Sequence, residues 1–491
     1  MSRKRVLVQG SVLSGSGIFV SMAAMLVVAK LITNARGLGV SAVGAYGLVL
    51  VAADFLNILS SFGLWVALPK LVASAAPERR SAIIGSGLGV QIVVSGAVSC
   101  AIYALWWLLP EGFYLFEHAQ WARLYPHLWL LPPLFFIGTL RELIMAALVG
   151  LNRYALRSAG LVGVAAGQVI LVYLLVWRAE GGLASLIVAF LIAHTLTTAG
   201  LYAVLPTGRR PVLNWPVYRE SIAFSWPLYI NQLQGFFYQR LDTVLIAGFL
   251  GLDMAGIYEM AKRLPMLLSR VLGALLLPYL PNLSALVAEG DSRRAGSLLN
   301  QTAILTAFTG YAAALLIVLL QEPVILLLFN AEYLASLPAL GLLLVAICLA
   351  VQAGLMGQGL IALGHPKAVA VINAGLVVLS VGANVILLPR YGLAGAGWAA
   401  LVAVTFSNLL QTAYVSRHGI RVNWGAYWRV QGFMALGFGL SYAGETVAWR
   451  LLGLAVFTVL CFAGRVITVG QILGIATALL PKRKSRTVGH H

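Results

Sequence analysis

Six charged side chains, Arg240, Asp242, Glu259, Lys262, Arg263 and Arg270, stand inside two long apolar segments joined at Gly251 to Met254. On a helix that turns by about 100° per residue, Asn231, Gln234, Tyr238 and Asp242 share one stripe of the first segment, and Arg240 points nearly the opposite way. On the second, Glu259, Arg263 and Arg270 fall within about 40° of one another, with Lys262 one step aside. Each segment therefore carries one charged seam. An ionisable group at membrane depth costs several kcal/mol unless it faces a bundle interior or a wet cavity, which makes each a functional-site candidate. Glu259 and Arg263, at i,i+4, would suit an ion pair that only locks helices together. Yet four cations stand against two acids, and a surplus of positive charge calls for an anion.

The elements that hold these residues follow from composition. Of 491 residues, 60% are hydrophobic and 10% charged, and the mean hydropathy is +0.92. Successive apolar runs of about 20 residues, broken by short polar turns, mark an all-α polytopic membrane protein. Fourteen runs begin near residues 11, 43, 82, 122, 156, 183, 222, 254, 296, 335, 367, 392, 428 and 450. No gap between them is long enough to fold alone.

The formal net charge of +18 is explained by topology rather than by nucleic acid. With the amino terminus inside, 22 of the 33 Lys and Arg fall at cytoplasmic ends, among them Arg3, Lys70, Arg79, Arg153, Arg209, Arg293, Arg417 and Lys482. Only Arg36, Arg123, Arg178, Arg390 and Arg450 fall at the opposite ends, and the remaining six lie inside helices. This bias places both termini in the cytoplasm. Cys100, Cys348 and Cys461 all sit in apolar runs, so they are expected to pack in the core and form no disulfide framework. MSRKR runs directly into a full-length helix, which predicts no cleavable signal, and the final GHH has the look of a tag remnant.

Sliding the chain against itself by 212 residues brings two halves into register. Leu38, Gly39, Gly44, Tyr46, Leu56, Leu64, Leu68, Pro69, Leu71 and Ala73 meet Leu250, Gly251, Gly256, Tyr258, Leu268, Leu276, Leu280, Pro281, Leu283 and Ala285. Six helices per repeat is an even number, so both copies enter the membrane in the same direction. That predicts two lobes about a pseudo-twofold along the membrane normal, with a site between them. The expected layout is an N-lobe over 1–205, a cytoplasmic linker over 206–221, a C-lobe over 222–415, two further helices over 428–470 and a basic cytoplasmic tail over 471–486.

The repeat also shows where the lobes differ. Glu259, Lys262, Arg263 and Arg270 correspond to Gly47, Leu50, Val51 and Ile58, so the cationic seam is confined to the second copy. Lys30 occupies the position equivalent to Asp242 and has no acid at i±3 or i±4. The second run places Asp54, Asn57 and Ser61 on one face, and the fourth carries Arg141 and Glu142. Direction of travel puts Arg240, Asp242, Glu259, Lys262, Arg263 and Lys30 toward the outer side, with Asp54, Arg141 and Arg270 nearer the middle. The expectation is a central cavity with cations at more than one level.

Pro132, Pro133, Pro227 and Pro265 fall inside expected helices and predict bends there. The glycine runs Gly85 to Gly89 and Gly392 to Gly397 follow no strand and point to close packing rather than phosphate binding. Thr468 to Leu480, closed by Pro481 and KRKSR, predicts a helix lying on the inner membrane face. There is no GxxxxGK[ST] loop, no HExxH and no clustered His or Cys; His127 and His194 stand alone on apolar helices. An enzyme is not expected, and a metal or other cofactor is not expected either.

LGVSAVGAYGLVLVAADFLNILSSFGLWVALPKLVA, its partner SWPLYINQLQGFFYQRLDTVLIAGFLGLDMAGIYEMAKRL, EPVILLLFNAEYLAS and NVILLPRYGLAGAGWAAL resemble the polysaccharide exporters, or O-antigen-type (Wzx) flippases, of the multidrug/oligosaccharidyl-lipid/polysaccharide superfamily. The resemblance covers nearly the whole chain. It implies two six-helix lobes plus two C-terminal helices, about 14 transmembrane helices in all. It further implies movement of an undecaprenyl-pyrophosphate-linked oligosaccharide from the inner to the outer leaflet of a bacterial inner membrane, by alternating access. The partners it implies are that lipid, the surrounding membrane lipids and the polysaccharide polymerase and assembly machinery.

The internal cations suit a pyrophosphate cargo independently. Lys30, Arg141, Arg240, Lys262, Arg263 and Arg270 are the expected substrate-binding set. Asp54, Glu142, Asp242 and Glu259 are expected to hold those cations apart or to bind a coupling ion, H+ or Na+; the membrane potential is the other energy source. A lipid II flippase and a cation-coupled multidrug exporter share this fold, although the exporter should favour interior carboxylates. A membrane-embedded sugar polymerase would need a large outer loop, which the sequence lacks.

Overall fold

The computed structural model describes residues 3–108, 124–276 and 279–468. Among them every regular element is helical. Among the described residues, nine helices are long and apolar enough to cross a membrane, or ten if the bent pair Leu252–Ala274 and Tyr279–Ala288 counts as one span. The protein is therefore a multi-pass membrane protein. Each of the fourteen expected runs falls on a helix or an interrupted helix, but fewer than fourteen meet the length and hydropathy needed to span. Thr468 is described, but the surface helix expected after it, with the basic tail, lies outside the described residues.

The helices divide between two compact units that do not follow the repeat boundaries in sequence. The first comprises Met1–Leu264, Glu322–Leu342 and Asn373–Ala403. It begins with α1 (Arg3–Thr33), α2 (Val40–Ser61), α3 (Leu64–Ser74), α4 (Pro77–Leu108), α5 (Leu131–Gly150) and α6 (Tyr154–Val172). It continues with α7 (Leu183–Ala203), α8 (Trp215–Leu250) and α9 (Leu252–Ala261). Leu64, Leu68, Leu88, Leu143, Leu148 and Leu205 form a buried cluster among α3, α4, α5 and the segment after α7.

α2 and α9, which open at the equivalent glycines Gly39 and Gly251, cross in van der Waals contact of their backbones. A Cβ on Gly44 would stand 1.9 Å from the Leu252 carbonyl oxygen, and one on Gly256 would stand 2.2 Å from that of Val40. Only glycine permits so close a crossing, the small-residue solution to helix packing in membranes. Gly251 also adopts φ 93°, a left-handed conformation that lets α8 turn directly into α9.

The second unit comprises Pro265–Gln321, Leu343–Ile372 and Val404–His491. Its core gathers Leu276, Tyr279, Leu283, Leu299, Leu355 and Leu360. Its two last described helices, Trp424–Ser441 and Val447–Ala463, again meet through glycine: a Cβ on Gly453 would lie 2.2 Å from the Gly437 carbonyl oxygen.

Several local expectations change. Pro132 and Pro133 occupy the first turn of α5, where a missing N–H removes no helical bond, so they start the helix rather than bend it. Pro265 acts as expected. It offers no N–H to the Ala261 carbonyl, and α9 ends there before α10 (Arg263–Leu275) begins. Cys348 and Cys461 are buried, whereas Cys100 is exposed on α4 and does not pack in the core. Gly85 and Gly89 do serve close packing, but against the Arg210 and Val212 carbonyls of the linker before α8.

Candidate functional site

α9 ends at Ala261, and Lys262, which caps it in helical conformation, stands at the centre of the site. The Lys262 ammonium lies 3.1 Å from Glu259 Oε1, 3.2 Å from Asp242 Oδ1, 3.0 Å from Thr243 Oγ1 and 3.2 Å from the Gln239 carbonyl. It has three N–H groups for four acceptors, so no donor is left over for a ligand. Asp242 is held at its other oxygen, Oδ2, by the Tyr258 hydroxyl at 2.6 Å, and at Oδ1 also by the Thr243 N–H at 2.7 Å. The Thr243 hydroxyl donates to Glu259 while accepting from Lys262.

Arg240, although on the far side of α8 from Asp242, reaches the same ladder. It donates to Asp54 Oδ2 at 2.8 Å and stands 3.9 Å from Glu259 Oε2. Asp54, Arg240, Glu259, Lys262 and Asp242 thus alternate in sign, three carboxylates around two cations. The expected surplus of cations on this seam is not what the ladder contains. Removing one member of such a buried pair strands an uncompensated charge, at about 3–5 kcal/mol.

Arg263 differs. The i,i+4 pair with Glu259 does not form; Glu259 pairs instead with Lys262 at i,i+3 and with Arg240. Its guanidinium donates to the Met25 carbonyl at 2.9 Å, and no described carboxylate lies within ion-pair distance. One of its five N–H groups is thereby used, and the side chain keeps partial exposure.

A second cluster joins α5, α6 and α7. Arg141 pairs with Glu142 at 2.5 Å and with His194, whose Nε2 lies 3.1 Å from Gln168 Nε2. Arg141 can only donate, so the Nδ1 it faces is the accepting nitrogen of a neutral ring. His194, set aside in the sequence as isolated, is part of the polar interior.

The rest of the expected set is scattered. Lys30 is exposed on α1, and no described carboxylate pairs with it. Arg270 is exposed and belongs to the second unit. Thr243, Tyr258, Gln239 and the Met25 carbonyl were not singled out by sequence reasoning. Only the adjacency of Thr243 to Asp242, and the recurrence of Tyr258 at the repeat position of Tyr46, hinted at two of them. No group of three or more His, Cys, Asp or Glu among the described residues could hold a metal ion.

The ladder and Arg263 offer binding by charge and hydrogen bonding; comparisons with known proteins give the family. The profile of a family described as "Polysaccharide biosynthesis protein" matches residues 34–338. A curated relative, the "Probable low-salt glycan biosynthesis flippase Agl15" of Haloferax volcanii, is 23% identical over 227 residues. That match covers 44% of this chain and 48% of the relative, so it spans about half the relative's length.

Among solved structures, the lipid II flippase MurJ in an inward closed conformation superposes with a TM-score of 0.73 at 13% identity, over 95% of this chain and 100% of that one. An inward-facing multidrug resistance MATE family transporter of the MOP superfamily gives a TM-score of 0.66 at 16% identity, over 81% and 95%. These likenesses establish a fold shared with MOP-superfamily transporters.

Proposed function

Because the chain belongs to the polysaccharide biosynthesis protein family, we propose that it is a flippase. Its cargo is an undecaprenyl-pyrophosphate-linked oligosaccharide, carried from the inner to the outer leaflet of a bacterial inner membrane. The lobes 1–205 and 222–415 alternate access to it, with both termini in the cytoplasm, and an H+ or Na+ gradient or the membrane potential drives the cycle.

The observation that carries this reading is Arg263. It is a half-buried cation whose neighbours do not neutralise it by direct pairing, beside a ladder whose charges are matched. A planar guanidinium with spare N–H donors suits a diphosphate, which it can bind in bidentate fashion. Lys262 and Arg240 are tied to carboxylates in this state and reach a phosphate only when Asp242, Glu259 or Asp54 lets go. That exchange of partners supplies the linkage between cargo and conformation, and protonation or a cation at those carboxylates supplies the coupling. Lys30 and Arg141, in the same unit as Arg263, would add cationic steps to that binding.

The test is transport of the glycolipid in proteoliposomes. Arg263→Gln should lower the rate at least tenfold, with Arg263→Lys intermediate because it keeps charge but not the fork. Unchanged transport by Arg263→Gln would overturn the reading. A lipid II carrier would share the pyrophosphate and differ only in the sugars it accepts, so the same assay with lipid II separates the two. A cation-coupled drug exporter would instead bind a cationic dye and ignore both lipids.

A further inference from the structure

His194 stands midway along α7 and takes no part in the ion ladder. From α5 it faces the Arg141 guanidinium, whose other terminal nitrogen pairs with Glu142 at 2.5 Å. From α6 it faces the uncharged Gln168, 3.1 Å from Nε2, and on its own helix Phe190 stacks along the ring. α2 brings Tyr46, against the Phe190 ring, and Asp54, within electrostatic reach of Arg141 and Glu142. The short helices Tyr125–Leu130 and Tyr173–Arg178 also pack on α7, and neither sets a charge against the ring. Among the described residues Arg141 is thus the charge that acts directly on His194.

Since Nδ1 accepts from Arg141, Nε2 carries the hydrogen of the neutral ring and donates it, which sets the Gln168 amide with its carbonyl oxygen toward the ring. That bond suits both charge states, because an imidazolium also donates from Nε2. Nδ1 is different. A guanidinium has no lone pair to offer and a protonated Nδ1 has none either, so this nitrogen holds Arg141 or a proton and never both. Arg141 is also poised to yield: its Nε is buried without an acceptor, so its present place leaves a donor unmet. The Glu142 side chain keeps 34% of its surface exposed, so a proton reaches the cluster without crossing the packed core.

Resting on the flippase reading above, we infer that His194 is a proton-binding site from which Arg141 is the displaced group, and that the proton and the anionic headgroup of the cargo bind together. When the headgroup draws Arg141 off the ring, Nδ1 takes a proton from water and leaves an imidazolium anchored by Gln168. In reverse, a proton at Nδ1 repels Arg141 toward Asp54, whose Oδ2 now accepts from Arg240, and so loosens a second cation for the phosphates. Either way the ring gains a proton as the cargo gains a guanidinium. By linkage, cargo binding strengthens as pH falls.

The test is the affinity of the full-length protein in nanodiscs for undecaprenyl pyrophosphate carrying a neutral trisaccharide, at about pH 8 and about pH 5, the ends of the range in which histidine changes charge. Both phosphates of that lipid are esterified and singly ionised throughout, so the probe itself does not titrate. The wild type should bind about tenfold more tightly at the lower pH, within the limit of about tenfold per pH unit that one linked proton sets. In His194→Gln, whose amide oxygen still accepts from Arg141 but takes no proton, the ratio of the two affinities should fall toward one. It should fall as well in Arg141→Gln, where the proton has no competitor to displace. A wild-type ratio of one, or a ratio kept by either variant, would overturn the proton site and leave the flippase reading standing. Failure of the wild type to bind the lipid at either pH would overturn both.

Discussion

Gly47 and Glu259 occupy the same position in the two sequence repeats, and in the folded protein they touch: a Cβ on Gly47 would lie 3.0 Å from Glu259 Cγ. The contact belongs to a reciprocal pattern. Gly44 abuts Leu252 and Gly256 abuts Val40, and the 212-residue offset turns one contact into the other, since it carries Gly44 to Gly256 and Val40 to Leu252. α2 and α9 therefore cross about a local twofold relationship, and residues near it face their own counterparts. Where a position meets its counterpart, only one copy can be large. The Glu259 carboxylate, and the ladder built on it, exists because the other repeat has no side chain there.

Filling the crossing should be costly. Gly44→Ala or Gly256→Ala puts a methyl group against a backbone carbonyl, which cannot swing away as a side chain would. Overpacking of this kind costs about 1–3 kcal/mol. Thermal unfolding in detergent should show a loss of several degrees, whereas Gly39→Ala, whose Cβ meets nothing within 4 Å, should be milder.

The counterpart argument is checked by exchanging the pair. Gly47→Glu alone should destabilise, by crowding and by adding a fourth carboxylate to the ladder. Gly47→Glu with Glu259→Gly returns one carboxylate to the shared position and should recover part of the loss. If the double variant were no more stable than the sum of its parts, the two positions would not be coupled.

Lys262→Met should be the most damaging single change in the ladder, because Asp242 and Glu259 lose the ammonium between them, at about 3–5 kcal/mol. Neutralising both acids as well, with Asp242→Asn and Glu259→Gln, should regain much of that stability while abolishing transport. Tyr258→Phe removes one hydrogen bond from an Asp242 that keeps its others, and should cost only about 1 kcal/mol. Denaturation midpoints in one detergent rank the three variants.

Much of this was legible along the chain. Hydropathy alone identified the membrane class, because backbone polar groups in lipid leave helices as the economical solution for runs of this length. The repeat foretold that Gly44 and Gly256 were equivalent, and the lone histidine aside, the charged residues that matter were visible as exceptions in apolar surroundings. Pro265 announced the break at Lys262.

What the chain by itself determined is which residues are polar inside a membrane and on which face of a helix each begins. Only the tertiary structure decided who meets whom. Of the two cations that helical spacing offers Glu259, the structure pairs it with Lys262 at i,i+3, while Arg263 donates to the Met25 carbonyl, 238 residues away in sequence. Arg240 joined the ladder through Asp54 on another helix, and Arg270 fell into a different unit. The physical reason is that helical periodicity propagates only along an unbroken hydrogen-bonded helix. Across a break, or between helices, partners are chosen by packing distance and by the need of each buried charge for an opposite one.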